Sequence, residues 1–158
     1  MSRNERALRD ALGRYATGVT VVTTQTARGP LGITANSFAA VSLDPPLVLW
    51  SPARRSRRFP AFEAASHFAI HVLTEEQRWL AERFARSGGD FAGIETTPGL
   101  GGAPLIAGCA ARLECQHAAQ HEGGDHLILV GEVRRFAQGS GAPLIFFGGD
   151  YRRLGGPL

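Results

Sequence analysis

Short runs rich in β-branched and apolar residues, separated by turn residues, dominate the hydrophobic pattern of this chain. Residues 18–25 (GVTVVTTQ) have the Val and Thr content of a strand. Residues 47–50 (LVLW) are apolar throughout, which is typical of a strand covered on both faces. The same reasoning predicts further strands at residues 30–34, 37–43, 67–73, 110–119, 125–136 and 143–147.

Helical patterns are fewer, and they do not alternate regularly with the strands. In residues 4–15 apolar side chains recur at three- and four-residue spacing, and Asn4 is a candidate N-cap. We predict a second helix at residues 57–65, capped by Ser56. A third helix is predicted to begin with the capping-box sequence TEEQ at residues 74–77.

This order of elements predicts a mainly β fold with α+β decoration, built as an antiparallel or mixed barrel with N-terminal and interior helices. A doubly wound parallel sheet is not expected, because its helices would alternate with its strands. The Gly- and Pro-rich residues 86–104 are predicted to form a long loop. The chain has neither a repeat nor a linker, so residues 1–158 are expected to form a single domain.

Composition excludes several classes of function. No run of about 18 apolar residues exists and the first residues lack the apolar stretch of a signal peptide, so no membrane span and a cytoplasmic location are expected. All 17 basic residues are arginine, and their one dense cluster, residues 54–58, is too short for the basic stripe of a nucleic-acid surface. The Gly-rich residues 99–104 end in proline and lead toward a strand, unlike a dinucleotide-binding fingerprint.

Cysteine and histidine give no sign of a metal or redox centre. Cys109 and Cys115 are six apart in what the pattern predicts to be one strand, too far apart to bond, so we expect reduced, half-buried thiols. The five histidines include no HExxH pattern and the cysteines no CxxC pattern. No metal site is predicted.

The most polar stretch between two predicted strands is residues 32–38 (GITANSF). It offers hydroxyls, a carboxamide and several backbone amides within seven residues. Such a segment can lie along a flat polar ligand and hydrogen-bond its edge. It can equally be a polar turn that satisfies its own backbone, because Asn and Ser favour turns for local reasons.

Seven sequence segments in the same order give the chain a resemblance to a known family. They are YATGVTVVT at 15–23, GITANSF at 32–38, VSLDPPLVL at 41–49, FAIHVL at 68–73, FA at 84–85, GDH with GEV between 124 and 133, and PL at 143–144 with YR at 151–152. The chain resembles the short-chain flavin reductases, which are FMN-binding split-barrel proteins and the reductase components of two-component flavin monooxygenases.

This resemblance implies a homodimer that binds FMN (possibly FAD) near the dimer interface and transfers a hydride to it from NADH or NADPH. A separate flavin-dependent monooxygenase is the implied partner. The residues that match the family's flavin and nicotinamide contacts are Thr34, Ala35, Asn36 and Ser37 along the ring and ribityl chain, Ser51, Ser56 and Arg57 around the phosphate, Phe84, Ala85 and Arg86 at a helix end, and His126 and Tyr151 near the nicotinamide.

His126 is the candidate catalytic residue by this resemblance, as a group that orients the nicotinamide or polarises the reduced flavin. The chain departs from the family in having His71 where relatives commonly have Asn, and Phe146-Phe147-Gly148 where they have Tyr-His and a basic residue. These departures leave open a non-catalytic flavin-binding or storage module on the same barrel. An amine oxidase that holds a pyridoxal-type phosphate with the arginines of residues 54–58 is a third reading.

Overall fold

The computed structural model describes residues 2–158, and strands dominate it. The strands are β1 Thr17–Gly18, β2 Thr20–Thr26, β3 Gly29–Ala35, β4 Ala39–Leu43, β5 Pro46–Trp50, β6 His67–Val72, β7 Thr96–Pro98, β8 Pro104–Ile106, β9 Ala111–Gly123, β10 His126–Gln138, β11 Leu144–Phe147 and β12 Asp150–Arg153. The α-helices are α1 Arg3–Leu12, α2 Phe59–Ala64 and α3 Arg78–Arg86. Among these residues no helix has the length and apolar character needed to cross a membrane.

Seven strands form one antiparallel sheet in the order β3-β2-β6-β9-β10-β5-β4. Its two edge strands, β3 and β4, are consecutive in the chain, so the sheet curls until its edges approach one another across residues 36–38. The predicted mainly β fold is confirmed, and the curled sheet is consistent with a split barrel. A three-stranded sheet, β1-β11-β12, and the hairpin β7-β8 lie beside it.

Strand β2 is buried on both faces, which explains why its sequence shows no polar alternation. Val22 belongs to a cluster that includes Trp50, Phe62 and Phe68. The next residue back, Val21, points the opposite way and packs in a second cluster, which includes the α3 side chain Phe84. The barrel wall therefore has core on both sides, and α3 covers its outer side.

The ends of the helices differ from the predictions. Ser2, and not Asn4, caps α1: its Oγ accepts from the Glu5 N–H at 3.2 Å, and its own N–H donates to Glu5 Oε2 at 2.5 Å. The capping side chain therefore lies two residues earlier than predicted, and the helix ends at Leu12. The capping box at Thr74 is confirmed, since the Thr74 N–H donates to Gln77 Oε1 at 3.1 Å, and it opens a 3₁₀ turn at Glu75–Gln77 that leads into α3.

Two predicted segments are shorter than expected, the helix at residues 57–65 and the loop at residues 86–104. Helix α2 starts only at Phe59 and has no side-chain cap, so the assignment of Ser56 as N-cap was wrong. The long loop includes the strands β7 and part of β8, whose short and Pro-containing sequences lack strand periodicity. Strand β12 was also missed, because its four residues are polar.

Among the described residues, His71 on β6 is the largest fully buried side chain of the polar type, and both of its ring nitrogens are paired. Its side chain is fully buried, with Nδ1 3.0 Å from the Val21 carbonyl oxygen. The backbone N–H of Ile106 donates to its Nε2 at 3.0 Å. Because a carbonyl can only accept and an N–H can only donate, His71 is a neutral imidazole with its proton on Nδ1. It connects β2 to β8.

Both thiols are free and buried. Cys109 lies before β9 and not within it, so the prediction that the two cysteines share one strand was wrong. Burial raises the pKa of the Cys109 thiol. Burial, with the neighbouring Glu114 charge, raises the pKa of Cys115 to about 12.

Candidate functional site

The 34–37 segment (Thr34, Ala35, Asn36 and Ser37) lies at the end of β3, where the curled sheet brings its edges together. Asn36 is exposed, and its carboxamide has no hydrogen-bond partner among residues 2–158. A polar turn that satisfied its own backbone would engage this side chain locally. The structure therefore leaves the carboxamide of Asn36 available to a ligand.

The two hydroxyls of the segment hold it in place. Thr34 Oγ1 donates to the Ala81 carbonyl of α3 at 2.7 Å. Ser37 Oγ accepts from the Ser51 N–H at 2.9 Å and lies 3.3 Å from the Ser51 carbonyl oxygen. These bonds join the segment to α3 on one side and to the end of β5 on the other. Each hydroxyl oxygen keeps lone-pair capacity, so a ligand contact by Thr34 or Ser37 stays a prediction.

A cavity of about 130 Å³ lies against this segment. Its lining consists of Val19, Thr34, Ala35, Asn36, Phe146 and Tyr151. The rings of Phe146 and Tyr151 meet edge to face, with centroids 5.5 Å apart. One wall is thus polar and the other aromatic, a combination that suits a flat heteroaromatic ligand.

Tyr151 comes from β12, the strand that the sequence did not predict. The guanidinium of Arg78 lies over its ring, 5.3 Å from the centroid. Partial burial, followed by the charge of Glu82, raises the pKa of the Tyr151 phenol, while Arg78 opposes that change. Its hydroxyl therefore stays protonated near neutral pH and can donate a hydrogen bond.

The loop after β5 carries the residues predicted to bind a phosphate. Ser56 Oγ accepts from the Arg58 N–H at 3.2 Å, which makes a tight turn ahead of α2. Arg57 is exposed, with no carboxylate within ion-pair distance in the described part of the chain. Because α2 starts three residues after Ser56 and has only six residues, the phosphate argument rests on Ser51, Ser56 and Arg57 themselves, without support from a helix N-terminus.

At the end of α3 the three predicted residues differ in exposure. Phe84 is fully buried, and its ring lies 4.9 Å from that of Phe91 and directly against Gly32. The ring of Phe84 is therefore part of the core and is not open to a ligand. Ala85 and Arg86 are both exposed, so the predicted contact of this segment is left to them.

His126 begins β10 beside the same loop. The Leu127 N–H donates to the Pro52 carbonyl at 3.1 Å, and the Arg54 N–H donates to the Asp125 carbonyl at 2.9 Å. The Nδ1 atom of His126 lies 2.7 Å from Asp125 Oδ1, and this hydrogen bond holds the pKa of the Asp125 carboxyl below its ordinary value. The partly exposed ring keeps Nε2 for a ligand, although His126 is not part of the cavity lining.

Sequence reasoning missed three contributors to this region. Val19 and Phe146 line the cavity, and Arg58 bonds to backbone carbonyls of two elements. The sequence singles out Phe146 only as a departure from a family pattern. For Arg58 the sequence offers a cluster of four arginines without a way to tell which of them binds backbone carbonyls.

Comparisons with known proteins agree with this geometry. A family profile described as "Flavin reductase like domain" matches residues 12–155. The chain is 55% identical over 151 residues to an FMN reductase (NADH) of Agrobacterium fabrum, covering 96% of this chain and 87% of that protein. It is 42% identical over 150 residues to the reductase subunit of a flavin-dependent monooxygenase of Mycobacterium tuberculosis, covering 92% of this chain and 80% of the relative.

Solved structures include the NADH:FAD oxidoreductase of Streptomyces globisporus in complex with NAD and FAD fragments. It superposes on this chain with a TM-score of 0.90 at 40% sequence identity, covering 98% of this chain and 96% of the other. Sequence, fold and family profile agree over nearly the whole length. The chain belongs to the flavin reductase family.

Proposed function

We propose that this protein is an NADH-dependent FMN reductase that supplies reduced flavin to a separate flavin-dependent monooxygenase. The observation that carries the proposal is the cavity at the end of β3, where the unpartnered carboxamide of Asn36 faces the rings of Phe146 and Tyr151. The names of the relatives, an FMN reductase (NADH) and a monooxygenase reductase subunit, support the same activity.

The residues around the cavity fit FMN. A flavin ring requires hydrogen bonds along its polar edge, an apolar contact for its face, and a cation or hydroxyls for its phosphate. Asn36 and the backbone of residues 34–37 supply hydrogen bonds for the polar edge of the ring. Phe146 and Val19 supply the apolar contact for its face. The hydroxyls and the cation for the phosphate come from Ser51, Ser56 and the exposed Arg57, which are close in sequence after β5.

Bound flavin supplies a ring that accepts a hydride directly from the nicotinamide, so the reaction needs no protein nucleophile. The tasks of this chain are to bind and orient the two cofactors and to exclude water. His126 orients the nicotinamide or polarises the reduced flavin, and its hydrogen bond to Asp125 sets the direction of its ring. The Tyr151 hydroxyl donates at the opposite wall. Both roles are part of the proposal.

The proposal includes a second copy of this chain. Several large apolar side chains are strongly exposed in the single chain, among them Leu12, Leu43 and Phe136. Helix α1 has no buried residue although its apolar positions follow one stripe. A homodimer that covers part of this surface fits these exposures. The cytoplasmic location expected from the sequence stays a prediction.

A steady-state assay tests the activity. Purified protein is mixed with NADH, and the nicotinamide absorbance is followed with and without added FMN. We expect NADH oxidation to depend on FMN, and the Asn36→Ala variant to bind FMN more weakly while unfolding at the wild-type temperature. Gln120→Ala, an exposed change on β9 outside the cavity lining, is the control.

Two results would contradict the proposal. NADH oxidation that FMN does not accelerate would exclude a flavin reductase. A preparation that retains flavin tightly but never oxidises NADH or NADPH would favour the storage module instead.

A further inference from the structure

Arg58 makes an unusual set of contacts for a surface arginine. Its Nη1 donates to the Gly32 carbonyl at 3.1 Å and also to the Phe84 carbonyl, and its Nη2 donates to the Ala85 carbonyl at 3.2 Å. The side chain is half-buried, and no carboxylate lies within ion-pair distance of it among residues 2–158. The guanidinium therefore binds backbone only.

Within residues 2–158, these carbonyls lie where the backbone offers them no N–H partner. Phe84 and Ala85 lie in the last turn of α3, where a helix leaves its final carbonyls unpaired. Gly32 lies on the edge strand β3, and its outward N–H donates to the Gly88 carbonyl at 2.8 Å. Its outward carbonyl is the one that Arg58 binds. A cation at the C-terminal end of α3 is also favourable for the helix dipole.

The space around the Arg58 stem is closed. A Cβ placed on Gly88 would lie 2.5 Å from Arg58 Cδ and 2.9 Å from the Gly32 carbonyl oxygen. Burial lowers the pKa of the guanidinium from its ordinary value, and no acidic group offsets that cost. The stem of Arg58 is thus packed tightly against Gly88, although arginine is a residue type that proteins usually leave in water.

We infer that Arg58 is a positioning residue for the flavin site, holding together the loop of residues 51–58, the strand that leads into the 34–37 segment, and the end of α3. Gly32 is two residues before Thr34, and Phe84 and Ala85 begin the predicted contact segment 84–86. This inference rests on the proposed function, because it names how the flavin-binding elements are kept in register.

Arg58 could instead bind the flavin phosphate directly, as the sequence suggests for its neighbour Arg57. The two roles predict different effects on the binding of riboflavin, which has the ring and ribityl chain of FMN but no phosphate. A residue that positions the 34–37 segment lowers the affinity for both ligands, whatever further effect its loop has on FMN binding. A residue that binds the phosphate changes the affinity for FMN alone.

The experiment measures the dissociation constants of FMN and riboflavin for the wild type and for five variants, together with the unfolding temperature of each. Arg58→Gln removes the charge and most of the donors, and Arg58→Lys keeps the charge without the planar fork. Arg55→Gln, an exposed change in the same loop, is the matched control. Leu105→Ala, in a small core cluster with Ala69 and Ala103, lowers stability without touching these elements.

We expect Arg58→Gln to weaken both ligands by about tenfold, with Arg58→Lys intermediate. Arg55→Gln is expected to bind like the wild type. Leu105→Ala is expected to unfold at a lower temperature and to keep its affinity for both ligands. Arg57→Gln adds a direct comparison, because it should weaken the binding of FMN and leave the binding of riboflavin unchanged.

Three outcomes would overturn the inference. Loss of FMN affinity without loss of riboflavin affinity would make Arg58 a phosphate ligand. Unchanged affinity for both ligands, with only a lower unfolding temperature, would leave it a structural residue. An equal loss of affinity in Leu105→Ala would show that general destabilisation is the cause. Failure of the wild type to bind either flavin would instead refute the proposed function.

Discussion

At the scale of single residues, His126 has its orientation fixed by a neighbour. The Asp125 carboxylate accepts from Nδ1, so that in the neutral form of the ring Nε2 is a hydrogen-bond acceptor. A carboxamide such as that of nicotinamide could donate to this nitrogen. The proposed role of His126 is therefore to bind and orient, without proton transfer.

Replacing His126 by Ala removes one hydrogen bond to the nicotinamide in this view. We expect the KM for NADH to rise about fivefold, which corresponds to one ordinary hydrogen bond, and the FMN dissociation constant to stay unchanged. Steady-state kinetics with varied NADH and a separate FMN titration measure the two effects. His121→Ala, an exposed change further back on β9, is the control. An unaltered response to NADH would remove His126 from the site.

His71 gives the protein a predictable response to acid. Burial, and secondarily the charge of Arg112, lowers its pKa to about 4, against the opposing effect of the Val21 hydrogen bond. An unfolded chain has this pKa near 6.5. Between those two values the unfolded state binds a proton that the folded state does not. The free energy of unfolding therefore falls as the pH falls from about 6.5 to about 4, by roughly 3 kcal/mol in total.

Denaturant unfolding at several pH values checks this expectation. We expect the wild type to lose stability across that window, and His71→Asn to show a clearly smaller loss, whatever its stability at neutral pH. His121→Asn should keep the response of the wild type. Equal pH responses for the His71→Asn variant and the wild type would show that His71 titrates normally in the folded state.

At the scale of secondary-structure elements, the packing of β3 against α3 positions the 34–37 segment. Gly32 is buried, and a Cβ at this position would lie 2.6 Å from Phe84 Cδ1. Phe84 has no space to move, because it is fully buried against Phe91. The close approach of the strand to the helix thus depends on the missing side chain of Gly32.

For Gly32→Ala we expect a loss of about 1–3 kcal/mol in the free energy of unfolding, as overpacking of a core requires. Weaker FMN binding should accompany it, because the strand that leads to Asn36 is displaced. Denaturant titration measures the loss against Gly18→Ala, since a Cβ at Gly18 meets no atom within 4 Å. If both variants lose the same stability, the contact with Phe84 is not tight.

These elements also show what the sequence could predict. The Val- and Thr-rich β2 and the apolar β5 were predictable because local composition determines strand preference. The start of α2 was not, because Ser56 makes its hydrogen bond within a turn and not to a helix. The hydrogen bonds that organise the site, from Ser37 to Ser51 and from Arg58 to Gly32, join residues distant in the chain. Local patterns carry no information about such pairs.

At the scale of the whole molecule, α1 has little support within one chain. None of its residues is buried, and Leu8 and Leu12 on one stripe are 60% and 67% exposed. Tyr15, which continues that stripe past the end of the helix, is 80% exposed. A short helix without burial is marginal in water. We expect a second copy of the chain to cover this face.

Light scattering at micromolar concentration should then give twice the mass of the chain. The double change Leu8→Gln and Leu12→Gln should shift the protein toward the monomer, and Leu154→Gln, an exposed apolar change near the C-terminus, should not. A wild type that is monomeric under these conditions would contradict the expected dimer. An unchanged mass for the double variant would place the interface elsewhere.

The burial of both thiols has a consequence for an enzyme that releases reduced flavin. Reduced flavin that meets dioxygen yields hydrogen peroxide, and peroxide attacks cysteine mainly as the thiolate. Cys109 and Cys115 are buried, and the raised pKa of each keeps it in the thiol form at neutral pH. We therefore expect both thiols to resist this by-product, and the activity to survive turnover in air without a reducing agent.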